Sequence, residues 1–374
     1  MLKTINEQNR LFPNKYVEEW KGRNKKVIGF LCSYVPEEVI YAAGMLPFRI
    51  RGTGCTGMSR SDAIMSSYSC SFARSCLEYA IDGTYDFLDG LIGIDSCSQI
   101  SRLYDNWRYR AGLPFMHLLN LPYKNSDAAV QWYLDEIKAL IHSLKNSFGV
   151  TVTDQNLQNA IEVYNESRRL LGSLYDLRKS DNPPIGGADT HNIILAAMSM
   201  PREQFNGMLS GYLKELEHKR TESEFRARLM LIGSSVDDPA FTKIIEDKNG
   251  LIVTDALCFG SRYFWSHVDE EGDPLLSLAR SYLIRPQCPR MMDGHSTLYD
   301  FIVERVKEFN VDGIIFQKLQ YCTLWGGASF SLEKKFKASG IPFLSIDREH
   351  VVTNAGQIAT RIEAFIEMIE GTVE

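Results

Sequence analysis

Val27-Ile28-Gly29-Phe30-Leu31-Cys32 is followed by Pro36-Glu37-Glu38 and then by Leu46-Pro47-Phe48-Arg49-Ile50. The first run is short and apolar, the pattern of a buried strand. Pro36 marks a helix start, because its missing N–H costs nothing in a first turn, and carboxylates there meet the positive end of the helix dipole. The third run reads as a second strand. The same alternation continues: a helix over residues 66–80 with serines to cap it, a strand ending at Ile94, a helix over 98–109, and a strand over 114–119. Strand–helix alternation predicts a parallel, doubly wound sheet. Such sheets bind ligands beyond the carboxyl ends of their strands. Ahead of the sheet, residues 5–25 are expected to form one helix, with Leu11, Tyr16, Val17 and Trp20 as its apolar stripe.

From about Ala128 to Glu224 the spacing turns helical: Trp132, Leu134, Ile137, Leu140 and Ile141, then Leu157, Ile161, Val163 and Tyr164. Asn182-Pro183-Pro184-Ile185-Gly186-Gly187 breaks the run and Ser199-Met200-Pro201 restarts it. A second alternation opens at Ala227, with strands expected over 227–233, 250–255, 312–317 and 342–347 and a closing helix carrying Ile358, Ile362, Phe365, Ile366 and Ile369. The fold class is therefore α/β: two doubly wound parallel-sheet domains of Rossmann or flavodoxin type, over residues 1–127 and 226–374, joined by a helical segment over 128–225. A chain of 374 residues exceeds what one ordinary core holds. The halves share an architecture without a visible sequence repeat.

Composition is that of a globular protein, 44% hydrophobic and 24% charged. The formal net charge of -6 offers no field for nucleic acid. No apolar run reaches the roughly 20 residues needed to span a bilayer, and Met1-Leu2-Lys3-Thr4-Ile5-Asn6-Glu7 lacks an apolar signal core. A cytoplasmic protein is expected, without structural disulfides.

Eight cysteines then need a reason. Free cysteine is commonly a small buried hydrophobe, so position must decide. Cys97, Cys258 and Cys322 each follow an expected strand at its carboxyl end, where open sheets build sites. Cys70 lies at an expected helix start, where free N–H groups favour a thiolate, the metal-binding form. Metal ligation and packing are equally open for Cys70, Cys97 and Cys322 on placement alone. Cys76 is six residues beyond Cys70, and steps of about 100° turn it about 240° away on a helix, so it reads as core or as a ligand to something else. Cys32 reads as strand packing. Cys55 is undecided, and Cys288, in Arg285-Pro286-Gln287-Cys288-Pro289-Arg290, is a ligand or a reactive thiol. Structural zinc favours close pairs such as C-x₂-C, and the chain has none.

The seven histidines, His117, His142, His191, His218, His267, His295 and His350, form no ligand pattern, and no Walker A or dinucleotide fingerprint is present. Glu37 and Glu38 read as helix-start residues or as proton acceptors facing a site. Arg74 shares a helix face with Cys70 and reads as a surface ion pair or a phosphate contact. Ser234 and Ser235, after the first strand of the second domain, are candidate phosphate contacts.

The stretch from Val27 to Pro47, with Cys70-Ser71-Phe72-Ala73-Arg74, Asp89-Gly90-Leu91-Ile92 before Cys97, Gln320-Tyr321-Cys322, and the run from Gly356 to Phe365, resembles the 2-hydroxyacyl-CoA dehydratase and benzoyl-CoA reductase family. The motifs run in the family's order through nearly the whole chain and are most similar to its smaller, D-type subunit. The resemblance implies a [4Fe-4S] cluster on Cys70, Cys97 and Cys322. It implies a related second subunit in a heterodimer, or a second copy in a homodimer, and a separate iron–sulfur ATPase activator as electron donor. The activity implied is a hydro-lyase: radical (ketyl) elimination of water from an (R)-2-hydroxyacyl-CoA, with Arg74, Ser234 and Ser235 as candidate substrate contacts and Glu37 and Glu38 as candidate acid–base groups. Two alternatives stay open. One is a benzoyl-CoA reductase-type or double-cubane reductase subunit for low-potential electron transfer. The other is a structural cluster-bearing subunit whose partner holds the acyl-CoA. The double-cubane branch holds an [8Fe-9S] cluster on six cysteines. Here Cys70, Cys97, Cys258, Cys288 and Cys322 would supply five, with Cys76 as an ill-matched sixth, so the single cubane is the leading expectation.

Overall fold

The computed structural model describes residues 1–217, 219 and 224–371. His218 and part of the expected end of the helical segment lie outside them.

The first sheet contains β1 (Val27–Phe30), β2 (Leu46–Arg49), β3 (Gly90–Ile94) and β4 (Phe115–Leu119) in the order β2-β1-β3-β4. The second contains β5 (Ala227–Gly233), β6 (Gly250–Ala256), β7 (Gly313–Leu319) and β8 (Phe343–Arg348) in the order β6-β5-β7-β8. Every pairing is parallel. The two sheets thus repeat one topology. In each, the chain runs outward one way from its first strand and then returns to run the other way. That reversal is the topological switch point where open sheets form clefts. It lies between the ends of β1 and β3 in one domain, and of β5 and β7 in the other.

β1 is fully buried, as its unbroken apolar run requires. A methyl at Gly29 would lie 2.9 Å from both Ile50 and Leu88 side chains, so the missing side chain lets the neighbouring layer close on the strand. The expected single helix before β1 is instead two, Leu2–Gln8 and Lys15–Gly22. Pro13 has no N–H to continue the first helix, and Asn14 caps the second by accepting the Val17 amide at 3.0 Å. Leu11, placed in the apolar stripe, is exposed. The helix expected from residue 66 starts at Ser71. Ser66 Oγ accepts the Tyr68 amide at 3.2 Å, a local turn that competes with helix and leaves Cys70 as the N-cap.

The connecting segment forms helices Asp127–Phe148, Asp154–Asp176, Gly187–Ala197 and Arg202–Leu216. Helix Pro274–Ile284, though it follows β6, crosses back: Leu278, Ala279, Tyr282 and Leu283 join Ile28, Phe30 and Ile92 in the first domain's outer core. A second core is continuous between the halves, with Leu31 and Leu91 packed in the same cluster as Val253, Phe259 and Leu319. The two domains are therefore fused along the faces that bring their switch points together. Among the described residues no helix is long and apolar enough to cross a membrane.

Candidate functional site

Where the two switch points meet, a cavity of about 100 Å³ is lined by six cysteines: Cys32, Cys70, Cys97, Cys258, Cys288 and Cys322. Each arrives by a different route. Cys32 follows β1, Cys97 follows β3, Cys258 follows β6 and Cys322 follows β7. Cys70 precedes helix Ser71–Ile81, and Cys288 sits in the loop after helix Pro274–Ile284. Cys70, Cys97 and Cys322 are each the N-cap of a helix. Three helix N-termini therefore converge on the cavity, where their dipoles favour negative sulfur.

The loops are tied to one another. Gln99 Oε1 accepts the Cys70 amide at 3.3 Å. Ser33 Oγ donates to the Cys258 carbonyl at 2.9 Å, and Tyr34 Oη accepts the Cys288 amide at 3.3 Å. Arg262 donates to the Gln287 carbonyl at 2.9 Å. Arg290 donates to the carbonyls of Ser96 at 2.9 Å, Asp95 at 3.1 Å and Leu121 at 2.8 Å, and also to that of Pro122. One guanidinium thus gathers the loops after β3 and β4 behind Cys97.

Burial pushes the Cys70 thiol up to about 12, against the pull of the Ala73 amide and Arg74. Burial also raises Cys97, with the Cys70 sulfur adding to it, and Cys288, where Arg262 opposes the rise. Thiolates in this cavity need positive charge beside them, and Arg49, Arg262 and Arg285 line its wall. The remaining lining includes Leu31, Phe72, Ile100, Leu324 and Trp325. All eight cysteines are free thiols.

A donor set of six sulfurs in a largely apolar cavity suits a thiophilic metal group. Ligands of one tetrahedral ion lie about 3.8 Å apart for metal–sulfur bonds of about 2.3 Å. Among the described residues no three His, Cys, Asp or Glu side chains gather closely enough to hold a single ion. The residues fit a polynuclear cluster bridging the two domains better than a lone metal ion.

Placement of the other candidates sharpens or corrects the sequence reading. Cys32, read as packing, lines the cavity, because β1 ends at Phe30 and releases it into the cleft. The same strand-end rule that marked Cys97 would have found it. Cys76 is fully buried in the core and lies off the cavity wall, as the helix geometry required. Arg74 does not reach the cavity. It is buried, donates to the Ser69 carbonyl at 3.1 Å, and pairs with Asp62 at 2.8 Å and Glu349 at 3.7 Å, so its charge is occupied in latching the loop before Cys70. Ser234 and Ser235 line the cavity, but Ser234 Oγ accepts the Leu319 amide at 3.1 Å and Ser235 Oγ lies 3.7 Å from Cys258 Sγ. They serve the wall that carries the thiols. Glu37 and Glu38 do not face the cavity either. Both are buried in ion pairs, Glu37 with Arg202 at 2.8 Å and Glu38 with Arg168. Arg49 and Arg262 carried no sequence signal, since nothing local marks an arginine as cavity-facing.

The family model described as "2-hydroxyglutaryl-CoA dehydratase, D-component" matches residues 32–369. Among curated proteins, the chain is 27% identical over 363 residues to the (R)-phenyllactyl-CoA dehydratase beta subunit of Clostridium sporogenes, covering 96% of each. It is 29% identical over 313 residues to a benzoyl-CoA reductase subunit of Thauera aromatica, covering 81% of each. It is 27% identical over 365 residues to the beta subunit of (R)-2-hydroxyglutaryl-CoA dehydratase of Acidaminococcus fermentans, covering 96% of each. With a match that runs from the first cavity cysteine to the closing helix, the chain belongs to the 2-hydroxyglutaryl-CoA dehydratase D-component family.

Proposed function

We propose that this chain is an iron–sulfur subunit of the reductase type within its family, working in low-potential electron transfer, with Cys32, Cys70, Cys97, Cys258, Cys288 and Cys322 holding a double-cubane [8Fe-9S] cluster. The observation that carries this reading is the ring of six thiols on one cavity. Bound there, the cluster would supply a reducing couple, and such couples span about -700 to +450 mV according to their surroundings. The chain's own residues set those surroundings. Three helix N-termini and Arg49, Arg262 and Arg285 offset thiolate charge. Phe72, Leu324 and Trp325 give that cavity an apolar wall. The electron donor is a separate iron–sulfur ATPase of the kind the resemblance implies, and the partner is a related subunit or a second copy.

A second reading is a single [4Fe-4S] cluster on Cys70, Cys97 and Cys322 in an acyl-CoA dehydratase. It is favoured by the dehydratase names of two relatives and by the fact that these three cysteines alone among the six are helix N-caps. Iron and acid-labile sulfide counted after anaerobic purification separate the two. About eight irons per chain supports the first reading and about four the second; a chain that takes up none overturns both.

A further inference from the structure

Glu37 and Glu38 occupy the first turn of helix Glu37–Ala42, both fully buried, one layer behind the cavity wall. The layer between is Tyr282. Its hydroxyl donates to Glu38 Oε2 at 2.6 Å and accepts the Glu37 amide at 3.3 Å. Its ring carries the Arg285 guanidinium at 3.8 Å, and Arg285 lines the cavity and donates to the Ser33 carbonyl. One aromatic side chain therefore joins the carboxylates to a cavity arginine.

The two carboxylates are not equivalent. Glu38 is bound by Arg168 and Tyr282, and although burial acts to raise it, these partners hold it below the usual carboxylate range. Glu37 receives Arg202 Nη2 at 2.8 Å and Tyr263 Oη at 3.0 Å. Burial, with the Glu38 charge beside it, outweighs Arg202 and pushes Glu37 up to about 7. Neighbouring acids with environments that push them apart mark one as the proton carrier and the other as the fixed charge.

Glu37 lies beside space for water. It borders an internal void of about 10 Å³ with Tyr164, Arg168, Arg202, Tyr263 and Tyr282, about the size one water needs. The Tyr164 hydroxyl is buried beside that void and hydrogen-bonds with the Arg202 side chain. The Tyr164 ring meets that of Tyr41 at 5.7 Å. Tyr41 donates to the exposed Glu203, and both line an open surface groove of about 840 Å³.

We propose that Glu37 is the proton acceptor that balances charge entering the cysteine-lined cavity. When the cavity gains an electron from a low-potential protein donor, the Glu37 carboxylate takes up one proton from solvent. It returns that proton when the electron leaves. Glu38, Arg168 and Arg202 keep fixed charges, and Tyr282 with Arg285 transmits the field between the two sites. Glu37 is a positioning group for charge, since it touches no reacting atom. The inference rests on the proposed electron-transfer role.

The test is an anaerobic reductive titration of the iron-loaded wild type, Glu37→Gln and Glu37→Asp from pH 6 to pH 8, with infrared difference spectra of reduced against oxidised protein. In the wild type the midpoint potential falls as pH rises, and a protonated-carboxyl band appears on reduction and shifts in D₂O. Glu37→Asp keeps both signatures, and Glu37→Gln loses both. The infrared measurement on wild type needs no variant to fold. A wild type that loads iron but shows a pH-independent potential and no carboxyl band overturns this inference alone, as does a Glu37→Gln protein that keeps the wild-type pH dependence. A wild type that binds no iron overturns the proposed function, and this inference falls with it.

Discussion

Asp237 and His350 meet at 2.6 Å within the second domain, and the other oxygen of the same carboxylate accepts the Gly52 amide of the first domain at 2.6 Å. Thr53 adds a hydroxyl bond to the Asp237 carbonyl at 2.5 Å. The His350 amide in turn donates to Ser71 Oγ at 2.7 Å, one residue from Cys70. A single carboxylate thus ties the two halves together beside the helix that presents a cavity cysteine.

Burial acts to raise Asp237, but His350 and the Gly52 amide outweigh it and hold the carboxyl at about 2. A folded-state value below the unfolded one means the contribution is complete above about pH 4 and is lost as pH falls toward 2. We expect urea titrations of the metal-free protein to lose on the order of 2 kcal/mol from this group between pH 4 and pH 2. Asp237→Asn removes that component and is less stable than wild type at pH 7. An unchanged acid limb in Asp237→Asn would contradict the assignment.

Gly233 closes β5 at φ +126°, and a Cβ built there lies 1.8 Å from the Gln317 carbonyl oxygen of β7. Neither strand can yield, because both are central to the sheet. Gly233→Ala is expected to cost at least about 4 kcal/mol, read as a loss of melting temperature or of soluble protein. Ser234 and Ser235 follow immediately, so the surviving fraction should also show altered labelling of Cys258. A fully stable Gly233→Ala protein would rule out this backbone geometry.

Cys32 and Cys76 make opposite predictions. Cys32→Ser is expected to lower the iron bound per chain after anaerobic reconstitution, because it removes one of the six cavity sulfurs. Cys76→Ala is expected to keep wild-type iron and to lose about 1–2 kcal/mol of stability from the small void it leaves. Iron analysis beside thermal denaturation reads both. Full iron retention by Cys32→Ser would favour the three-cysteine reading.

Much of the fold was legible because local patterns encode it. The eight strands are short apolar runs followed by polar loops, and each appears within about two residues of its expected place. What failed was long-range. Proline at position 13 split a helix whose apolar spacing looked continuous. Helix Pro274–Ile284 has an ordinary amphipathic pattern, and nothing in it says that its apolar face belongs to the other domain. At the site, strand-end placement singled out Cys97, Cys258 and Cys322. Cys32 escaped because the apolar run masks where β1 stops. Glu37, Glu38 and Arg74 were visible as charges near helix starts, but their partners Arg202, Arg168 and Asp62 lie far off in sequence or in the unrecognised short helix Ser59–Asp62. Pairing between such positions has no local signature.

The cavity draws Cys32, Cys70 and Cys97 from the first half of the chain and Cys258, Cys288 and Cys322 from the second. Synthesis therefore sets a sequence of events. A nascent chain that has emerged only through its first sheet exposes three thiols on an unfinished cleft, next to apolar surface that the second half will later cover. The site is complete only once Cys322 has emerged and β7 has docked. Loading of the proposed cluster would thus be a late event that reads out whether both halves have folded and joined, and a truncated or half-folded product would be left with an incomplete set of ligands.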